Sequence, residues 1–252
     1  MKKKIILITI PIILLITSCF YYYWYVAEVS ISDSNLRNAI KQNIGKLTRA
    51  NLYDAKILNL SNCNISNLDG VQNLKNIRFL DLSYNQIKEI KYINNLDIDS
   101  LILSNNKIDN IPKLNLPKIR ILDLSENNIK DIQNISNLPS LQDLVLSNNN
   151  INDISDITKL QNLTLLNLNL NNLSAIDGIE NLIKLESLSI GGNNISYINT
   201  IANLSNLKEL ILSGNKNIQQ PIPTQYLKKI KRLEIKFTNI ENSIGKQLIE
   251  PL

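Results

Sequence analysis

The stretch I-R-F-L-D-L-S-Y-N-Q-I-K-E-I, Ile77 to Ile90, contains the unit from which the chain is built. Its skeleton is Leu80-x-Leu82 followed by Asn85 and Ile87. The skeleton occurs nine times, in full or degenerate form, and its first leucine stands at positions 58, 80, 101, 122, 144, 166, 188, 210 and 233. Consecutive copies are therefore 21 to 23 residues apart. A near-constant period of this size predicts a solenoid of stacked repeats.

The skeleton also predicts the structure of each repeat. Two leucines with one residue between them indicate a very short strand with one buried face. Such a strand is stable only when neighbouring copies pair into a parallel sheet over a continuous apolar interior. The short, irregular Ile and Leu intervals after each Asn predict 3₁₀ turns or extended segments on the opposite, convex side.

The Asn of each repeat follows at the point where the chain turns off the sheet. Backbone groups are cut off from water there, and each unpaired group would cost about 1–3 kcal/mol. Because an Asn amide offers both donors and an acceptor, a column of stacked Asn can pair the turns of successive repeats. Cys63 and Thr238 replace Asn only in the first and last copies, where the column ends.

The unit L-x-x-L-x-L-x-x-N-x-I-x-x-I resembles that of leucine-rich repeat proteins and is similar to bacterial internalin-like repeats. The resemblance covers about Ala55 to Ile240. It implies an α/β solenoid: a horseshoe with a parallel concave sheet, short 3₁₀ or irregular convex segments and a small helical N-terminal cap. Similar repeats of eukaryotic phosphatase-regulatory proteins share the period, so the repeat type leaves an intracellular regulator open as an alternative.

The start of the chain has the features of an export leader. A basic segment, Lys2 to Lys4, precedes the apolar run Ile5 to Ser18, which is typical of a signal peptide. The run ends in I-T-S-C, which resembles the bacterial lipobox and implies lipidation of Cys19. However, six aromatic residues follow at 20–25. Aromatic residues concentrate at membrane boundaries, and residues 5–27 are long enough to span a bilayer as an uncleaved anchor.

Both interpretations of the leader place the repeats outside the cytoplasm, with the chain anchored to the cell membrane at its N-terminus. The predicted division of the chain is a signal peptide 1–18 (or a membrane anchor 5–27), a tether 19–30, a helical N-terminal cap 31–54, nine leucine-rich repeats 55–240 and a C-terminal cap 241–252.

Residues 31–54 resemble the helical cap of internalin-like proteins. Ser32 or Asp33 can cap a helix that starts near Ser34 and ends near Gly45, and Thr48 can cap a second short helix. The cap would cover the open edge and the apolar end of the first repeat. The Asp33 region does not complete a calcium-binding loop.

Composition excludes several classes of function. The chain has no His, which removes Ser-His-Asp and Cys-His catalysis and the H-E-x-x-H zinc site. The formal charge is +5, but without the three leader lysines it falls to +2, from 24 basic and 22 acidic residues. A nucleic-acid-binding protein would need a strongly basic face. The two Cys imply no disulfide framework, and we expect a monomer without enzymatic activity, cofactor or metal.

The residues that can bind a partner are those that the skeleton leaves free, namely the strand positions before and between the two leucines. We expect these side chains to have no structural role. Among them an apolar zigzag runs on the order of 24 Å across successive strands, with carboxylates beside it. The predicted partner-binding residues are Ile57, Phe79, Asp81, Ile102, Ile121, Asp123, Asp143, Val145 and Leu165.

Such an apolar patch with a charged margin is typical of an interaction site for another protein. The alternative is that Ile, Val and Phe stand there because they favour strands. Two other charged groups are interpreted as solvated surface: the carboxylate pairs Asp153/Asp156 and Asp97/Asp99, and a basic cluster. The basic cluster, for which an acidic partner or anionic glycan is the alternative, consists of Lys228, Lys229, Lys231, Arg232 and Lys236.

Overall fold

The computed structural model describes residues 2–219, 228–236 and 238, with the side chains of the first helix described from Ile13 onward. Three helices come first: α1 (Lys2–Val26), α2 (Ser34–Ile44) and α3 (Arg49–Asp54). Nine strands of three residues follow in the described part of the chain. They are β1 (Ile57–Asn59), β2 (Phe79–Asp81), β3 (Ser100–Ile102), β4 (Ile121–Asp123), β5 (Asp143–Val145), β6 (Leu165–Asn167), β7 (Ser187–Ser189), β8 (Glu209–Ile211) and β9 (Arg232–Glu234).

The strands form one parallel sheet in sequence order, with matching repeat positions in register. The middle residue of each strand is the first skeleton leucine, and in β1 to β8 it is at most 2 % exposed. These leucines belong to a single apolar core that extends from Ile31 in the N-terminal cap to Ile218. The predicted leucine-rich repeat solenoid is confirmed.

Short 3₁₀ helices connect most of the strands on the convex side, as predicted. The described residues contain six: Val71–Asn73, Lys91–Ile93, Gln133–Asn137, Ile157–Lys159, Ile179–Asn181 and Asn199–Asn203. The connection between β3 and β4 differs. It contains Pro112 and Pro117, which cannot donate a backbone hydrogen bond, and Asn110 in the same segment bridges to Asp131 of the next repeat in extended pairing.

The Asn column has the predicted structure. In a typical member, Asn106 Oδ1 accepts the backbone N–H of Ile87 in the preceding repeat at 3.0 Å. Its Nδ2 donates to the carbonyls of Leu82 in the preceding repeat and Leu103 in its own, both at 3.0 Å. The same pattern joins the other members, which are Asn85, Asn127, Asn149, Asn171, Asn193 and Asn215.

The residues that end the column keep only part of this function. Cys63 Sγ donates to the carbonyl of Ser61 at 3.2 Å, and Thr238 Oγ1 donates to the carbonyl of Ile235 at 2.7 Å. Both replace the amide donor within their own turn. No earlier strand precedes the Cys63 repeat in the sheet, so an amide oxygen at that position would have no preceding turn to serve.

The N-terminal cap is joined to the first repeat by Asp33. Its Oδ1 accepts the N–H groups of Asn35 and Leu36 and so caps α2, as predicted. Its Oδ2 accepts the N–H groups of Ser66 (3.0 Å) and Asn67 (2.9 Å) in the first convex segment. One carboxylate thus holds both the start of α2 and the repeat that the cap covers.

We predict that Asp33→Asn lowers the free energy of unfolding at neutral pH by about 1–2 kcal/mol, because an amide NH₂ in place of Oδ2 cannot accept the N–H groups of Ser66 and Asn67. Burial raises the pKa of Asp33, but hydrogen bonds from Leu36, Ser66 and Asn67 outweigh it, and the net pKa is lowered. A carboxyl whose pKa is lower in the folded state stabilises the fold above its unfolded-state pKa of about 3.9. This stabilisation is lost as the pH falls through the folded-state pKa of Asp33.

Urea titrations at pH 7 and near pH 3 measure this difference. The difference in unfolding free energy between the parent and Asp33→Asn should be smaller at the lower pH. An equal difference at the two pH values would contradict the role given to the carboxylate. Asp109→Asn is the control, because Asp109 is half exposed and pairs with the exposed Lys88. It should change the free energy of unfolding by less than about 0.5 kcal/mol at either pH.

The leader and the cap are in contact. Helix α1 continues through Cys19 without a break, so the segment predicted as a tether is helical as far as Val26. The guanidinium of Arg49 lies 4.9 Å from the centroid of the Trp24 ring and donates to the Trp24 carbonyl at 3.3 Å. Among the residues whose placement is described, no helix is long and apolar enough to cross a membrane. Ile240 and the predicted C-terminal cap lie outside the described residues.

Candidate protein-binding surface

The predicted binding residues lie in two rows on the concave face of the sheet. The first row holds the residue before each first leucine, and the second holds the residue after it. Strand pairing aligns Phe79 with Ser100 and Ile121 in the first row, and Asp81 with Ile102 and Asp123 in the second. Ile57 and Phe79 share the first row, and from β2 to β6 the apolar residues alternate between the rows from strand to strand.

The apolar residues of this zigzag differ in exposure. Ile57 is 72 % exposed because β1 is the first strand of the sheet and has a strand neighbour on one side only. The others are half-buried, since strands about 4.8 Å apart bring their side chains against one another. They are Phe79, Ile102, Ile121, Val145 and Leu165. We call these six residues the apolar stripe.

The carboxylates beside the apolar stripe do have a structural role, and the expectation that they would not was wrong. Asp81 Oδ1 accepts the N–H of Ser83 at 2.9 Å and its hydroxyl at 2.6 Å. Asp123 makes the same two bonds with Ser125. These local bonds hold the chain as it leaves the strand. Asn59 makes them with Ser61, so an amide can replace the carboxylate there.

Asp143 is also hydrogen-bonded, because Thr164 Oγ1 of the next repeat donates to its Oδ1 at 3.0 Å. Asp143 lines a depression of about 410 Å³ that continues towards β9. The sequence interpretation missed Glu186, Lys208 and Glu209, which also line this depression. It placed the remaining charged residue, Lys231, in the basic cluster.

Two of the charged side chains in this depression form an ion pair, and a third accepts a hydrogen bond from a serine. Lys208 Nζ donates to Glu186 at 2.6 Å, and Ser187 Oγ donates to Glu209 at 3.1 Å. The apolar stripe therefore crosses β1 to β6, and the charged depression extends from Asp143 in β5 towards β9. A signal was present in the sequence, since Glu186, Lys208 and Lys231 each stand two residues before a first leucine.

A further row of candidate residues borders the strand ends. Its members precede the column Asn and have positive φ, and two of them are bulky and exposed: Tyr84 (φ 54, 61 % exposed) and Leu170 (φ 55, 58 % exposed). Left-handed backbone costs a non-glycine residue roughly 1–2 kcal/mol. Glu126 (φ 55) also holds this position. The remaining copies in the described residues have Asn62, Asn105, Asn148, Gly192 and Gly214, and Asn and Gly adopt this conformation most readily.

The other charged groups have the environment of surface charges. Asp97 accepts a hydrogen bond from Lys118 at 2.8 Å and pairs with Arg78 at 3.2 Å. The Lys118 hydrogen bond, and then the charge of Arg78, outweigh burial and lower the pKa of Asp97, the opposite of what a general acid requires.

In the basic cluster Arg232 is paired with Glu234 at 2.6 Å, and Lys228, Lys229 and Lys236 are exposed. The described residues include no cluster of potential metal ligands.

These features define a leucine-rich repeat solenoid whose concave sheet presents side chains from successive repeats in register. A family model described as "Leucine Rich repeats (2 copies)" matches residues 117–160. The search of curated proteins finds no match.

The chain is similar to the crystal structure of internalin C2 (inlC2) from Listeria monocytogenes, with 30 % identity over 81 % of this chain and 93 % of that one and a TM-score of 0.75. An LRR protein of Leptospira interrogans is 30 % identical over 69 % of this chain and 46 % of its own length, with a TM-score of 0.64. An internalin (inlF) from Listeria monocytogenes, at 24 % identity and a TM-score of 0.54, shares the fold. The chain belongs to the internalin-type leucine-rich repeat proteins, a fold that is typically non-catalytic.

Proposed function

We propose that this chain is a membrane-anchored, surface-exposed bacterial protein that binds another protein through its concave face and catalyses no reaction. The observation that carries the proposal is the apolar stripe, which crosses six adjacent strands in register. The leucines at the centre of these strands form the core. The stripe residues instead stand on the opposite face of the sheet, and a contiguous apolar patch of that kind favours partner binding.

The direct test is position-specific photo-crosslinking. A photoreactive amino acid placed at Ile102 or Ile121 should capture the partner, whereas one placed at Lys130 on the convex side should not. Capture at Lys130 with none at Ile102 and Ile121 would contradict the proposal. Parallel experiments with host extract and with the cell's own envelope distinguish a host ligand from the alternative role of an envelope scaffold or adhesion component.

The carboxylates Asp81 and Asp123 are expected to guide the approach of the partner. Replacing both with Asn removes the charge and keeps the acceptor for Ser83 and Ser125, as Asn59 already does for Ser61. We predict a several-fold change in association rate at low salt that diminishes at high salt, with a smaller change in dissociation rate. Asp177→Asn, on the convex side, is the matched control. The expectation fails if both variants bind with the parent's rates at low salt.

For the N-terminus we propose lipidation of Cys19, with the uncleaved helix as the alternative anchor. Labelled fatty acid should enter the parent protein, and Cys19→Ala should abolish the incorporation. Intact-mass analysis should show a chain that begins at Cys19. An unmodified chain that begins at Met1 in the membrane fraction would instead establish the uncleaved helix. A chain recovered from the cytoplasm would favour the regulator alternative.

A further inference from the structure

The last turns of α1 carry an exposed aromatic collar that the repeats do not require. It consists of Phe20, Tyr21, Tyr22, Tyr23 and Trp24, each at least 50 % exposed. Trp24 is the only Trp in the chain. So many exposed aromatic side chains in one patch indicate that a partner or a membrane covers them.

A cavity of about 330 Å³ lies between the aromatic collar and the N-terminal cap. The rings of Tyr21, Trp24 and Tyr53 line it together with two cationic side chains, Arg49 and Lys75. No acidic residue is among the described residues that line it. Arg49 uses one nitrogen to donate to the Trp24 carbonyl, which leaves most of the five N–H donors of its guanidinium for a ligand.

An apolar groove adjoins this cavity. Its volume is about 540 Å³, and Leu15, Ile16 and Phe20 line it along α1. The groove and the cavity share Trp24 and Arg49. A cationic site that continues into an apolar groove fits an amphiphile, with an anionic group at the cations and a hydrocarbon chain along α1.

We propose that the cavity binds the headgroup phosphate of an anionic phospholipid in the membrane that holds the N-terminus. The inference rests on the proposed membrane anchoring and adds a specific lipid contact to it. Trp and Tyr concentrate at the level of the headgroups, and basic side chains near the surface are attracted to anionic lipids. A zwitterionic lipid brings its own cation towards Arg49 and Lys75 and is therefore disfavoured. All lining residues of the cavity follow Cys19, so the cavity remains in either form of the anchor, whereas the part of the groove lined by Leu15 and Ile16 belongs to the uncleaved helix. The contact would fix the orientation of the solenoid on the membrane.

Because Trp24 is the sole Trp, its fluorescence reports on this site alone. The full chain is reconstituted into vesicles that contain a trace of spin-labelled lipid with either a phosphatidylglycerol or a phosphatidylcholine headgroup, both labelled at the same acyl carbon. We expect the anionic label to be enriched around Trp24 by about fivefold for each cation that contacts it. Lys75→Gln and then Arg49→Gln,Lys75→Gln should reduce this preference stepwise, and Lys130→Gln should leave it unchanged.

The outcomes separate the two proposals. The spin labels quench the fluorescence of nearby Trp24. Equal quenching by the two labelled lipids in vesicle-bound parent protein would overturn the lipid site and leave the anchor intact. A preference for the anionic label that persists when Lys75→Gln and Arg49→Gln are combined, in a chain with the parent's unfolding temperature, would also overturn the lipid site. Parent protein that does not float with vesicles would overturn both. If inorganic phosphate in solution removes the preference at millimolar concentration, the site takes free phosphate and the lipid assignment is wrong.

Discussion

Asn127→Ala is expected to lower the free energy of unfolding by about 1–3 kcal/mol, because it leaves a buried donor without a partner. Asn127 Oδ1 accepts the N–H of Ile108, a fully buried residue of the preceding repeat, at 2.9 Å. The carbonyls that accept from Asn127 Nδ2 keep another hydrogen bond in the Asn127→Ala variant. Leu103 O also accepts from Asn106, and Leu124 O also accepts from Asn149. The loss therefore falls mainly on the Ile108 N–H.

The neighbouring residue supplies the control. Asn128 is exposed, and its backbone N–H, which Ala retains, donates to the Ile108 carbonyl. Asn128→Ala should change the free energy of unfolding by less than about 0.5 kcal/mol. Asn127→Asp should cost at least as much as Asn127→Ala at neutral pH, because the second oxygen would face carbonyl oxygens. Equal losses for Asn127→Ala and Asn128→Ala in urea titrations would contradict the Asn column.

Phe79→Ala is expected to weaken partner binding by about 2 kcal/mol or more, close to 30-fold in Kd. Phe79 is the only aromatic residue of the apolar stripe, and large aromatic side chains are over-represented among residues that dominate binding energy. Its ring lies on the concave face, opposite the fully buried Leu80. The unfolding free energy should therefore change less than in Asn127→Ala. A Phe79→Ala variant that unfolds at a much lower temperature would show that the ring is part of the core.

The repeat skeleton was predictable because every member obeys a constraint that recurs with the period. Leucines at alternate positions must face the core, and Asn85 or Asn127 must pair two turns at once. Helix N-caps have a narrow residue preference, which limited the start of α2 to Ser32 or Asp33 and assigned Thr48 to the start of α3.

The concave face was less predictable because its side chains follow no common constraint. Even so, two local signals were available in the sequence. Asp81-x-Ser83 and Asp123-x-Ser125 have the spacing at which a carboxylate accepts from a residue two positions later, which gives these Asp residues their structural role. The frequent Asn and Gly immediately before the column Asn indicate left-handed backbone, and they mark Tyr84, Glu126 and Leu170 as exceptions.

The contacts among the charged residues of the depression could be found only by pairing the strands. Glu186 and Lys208 are 22 residues apart in the chain, and their contact at 2.6 Å depends on the register of β7 and β8. Likewise, nothing in the sequence brings Arg49 onto the ring of Trp24. That contact arises because the chain after α1 pairs with the cap, through the bridge between Glu28 and Thr48.

The measurement that tests the concave-face account most directly compares two aromatic substitutions in one binding titration. Phe79 lies on the apolar stripe, whereas Tyr197 is 58 % exposed just before the convex 3₁₀ helix Asn199–Asn203. With the captured partner, Phe79→Ala should raise Kd by about 30-fold or more and Tyr197→Ala should leave it within about twofold. If Phe79→Ala binds like the parent while Tyr197→Ala loses much of its affinity, both at unchanged unfolding temperatures, binding through the concave face is contradicted.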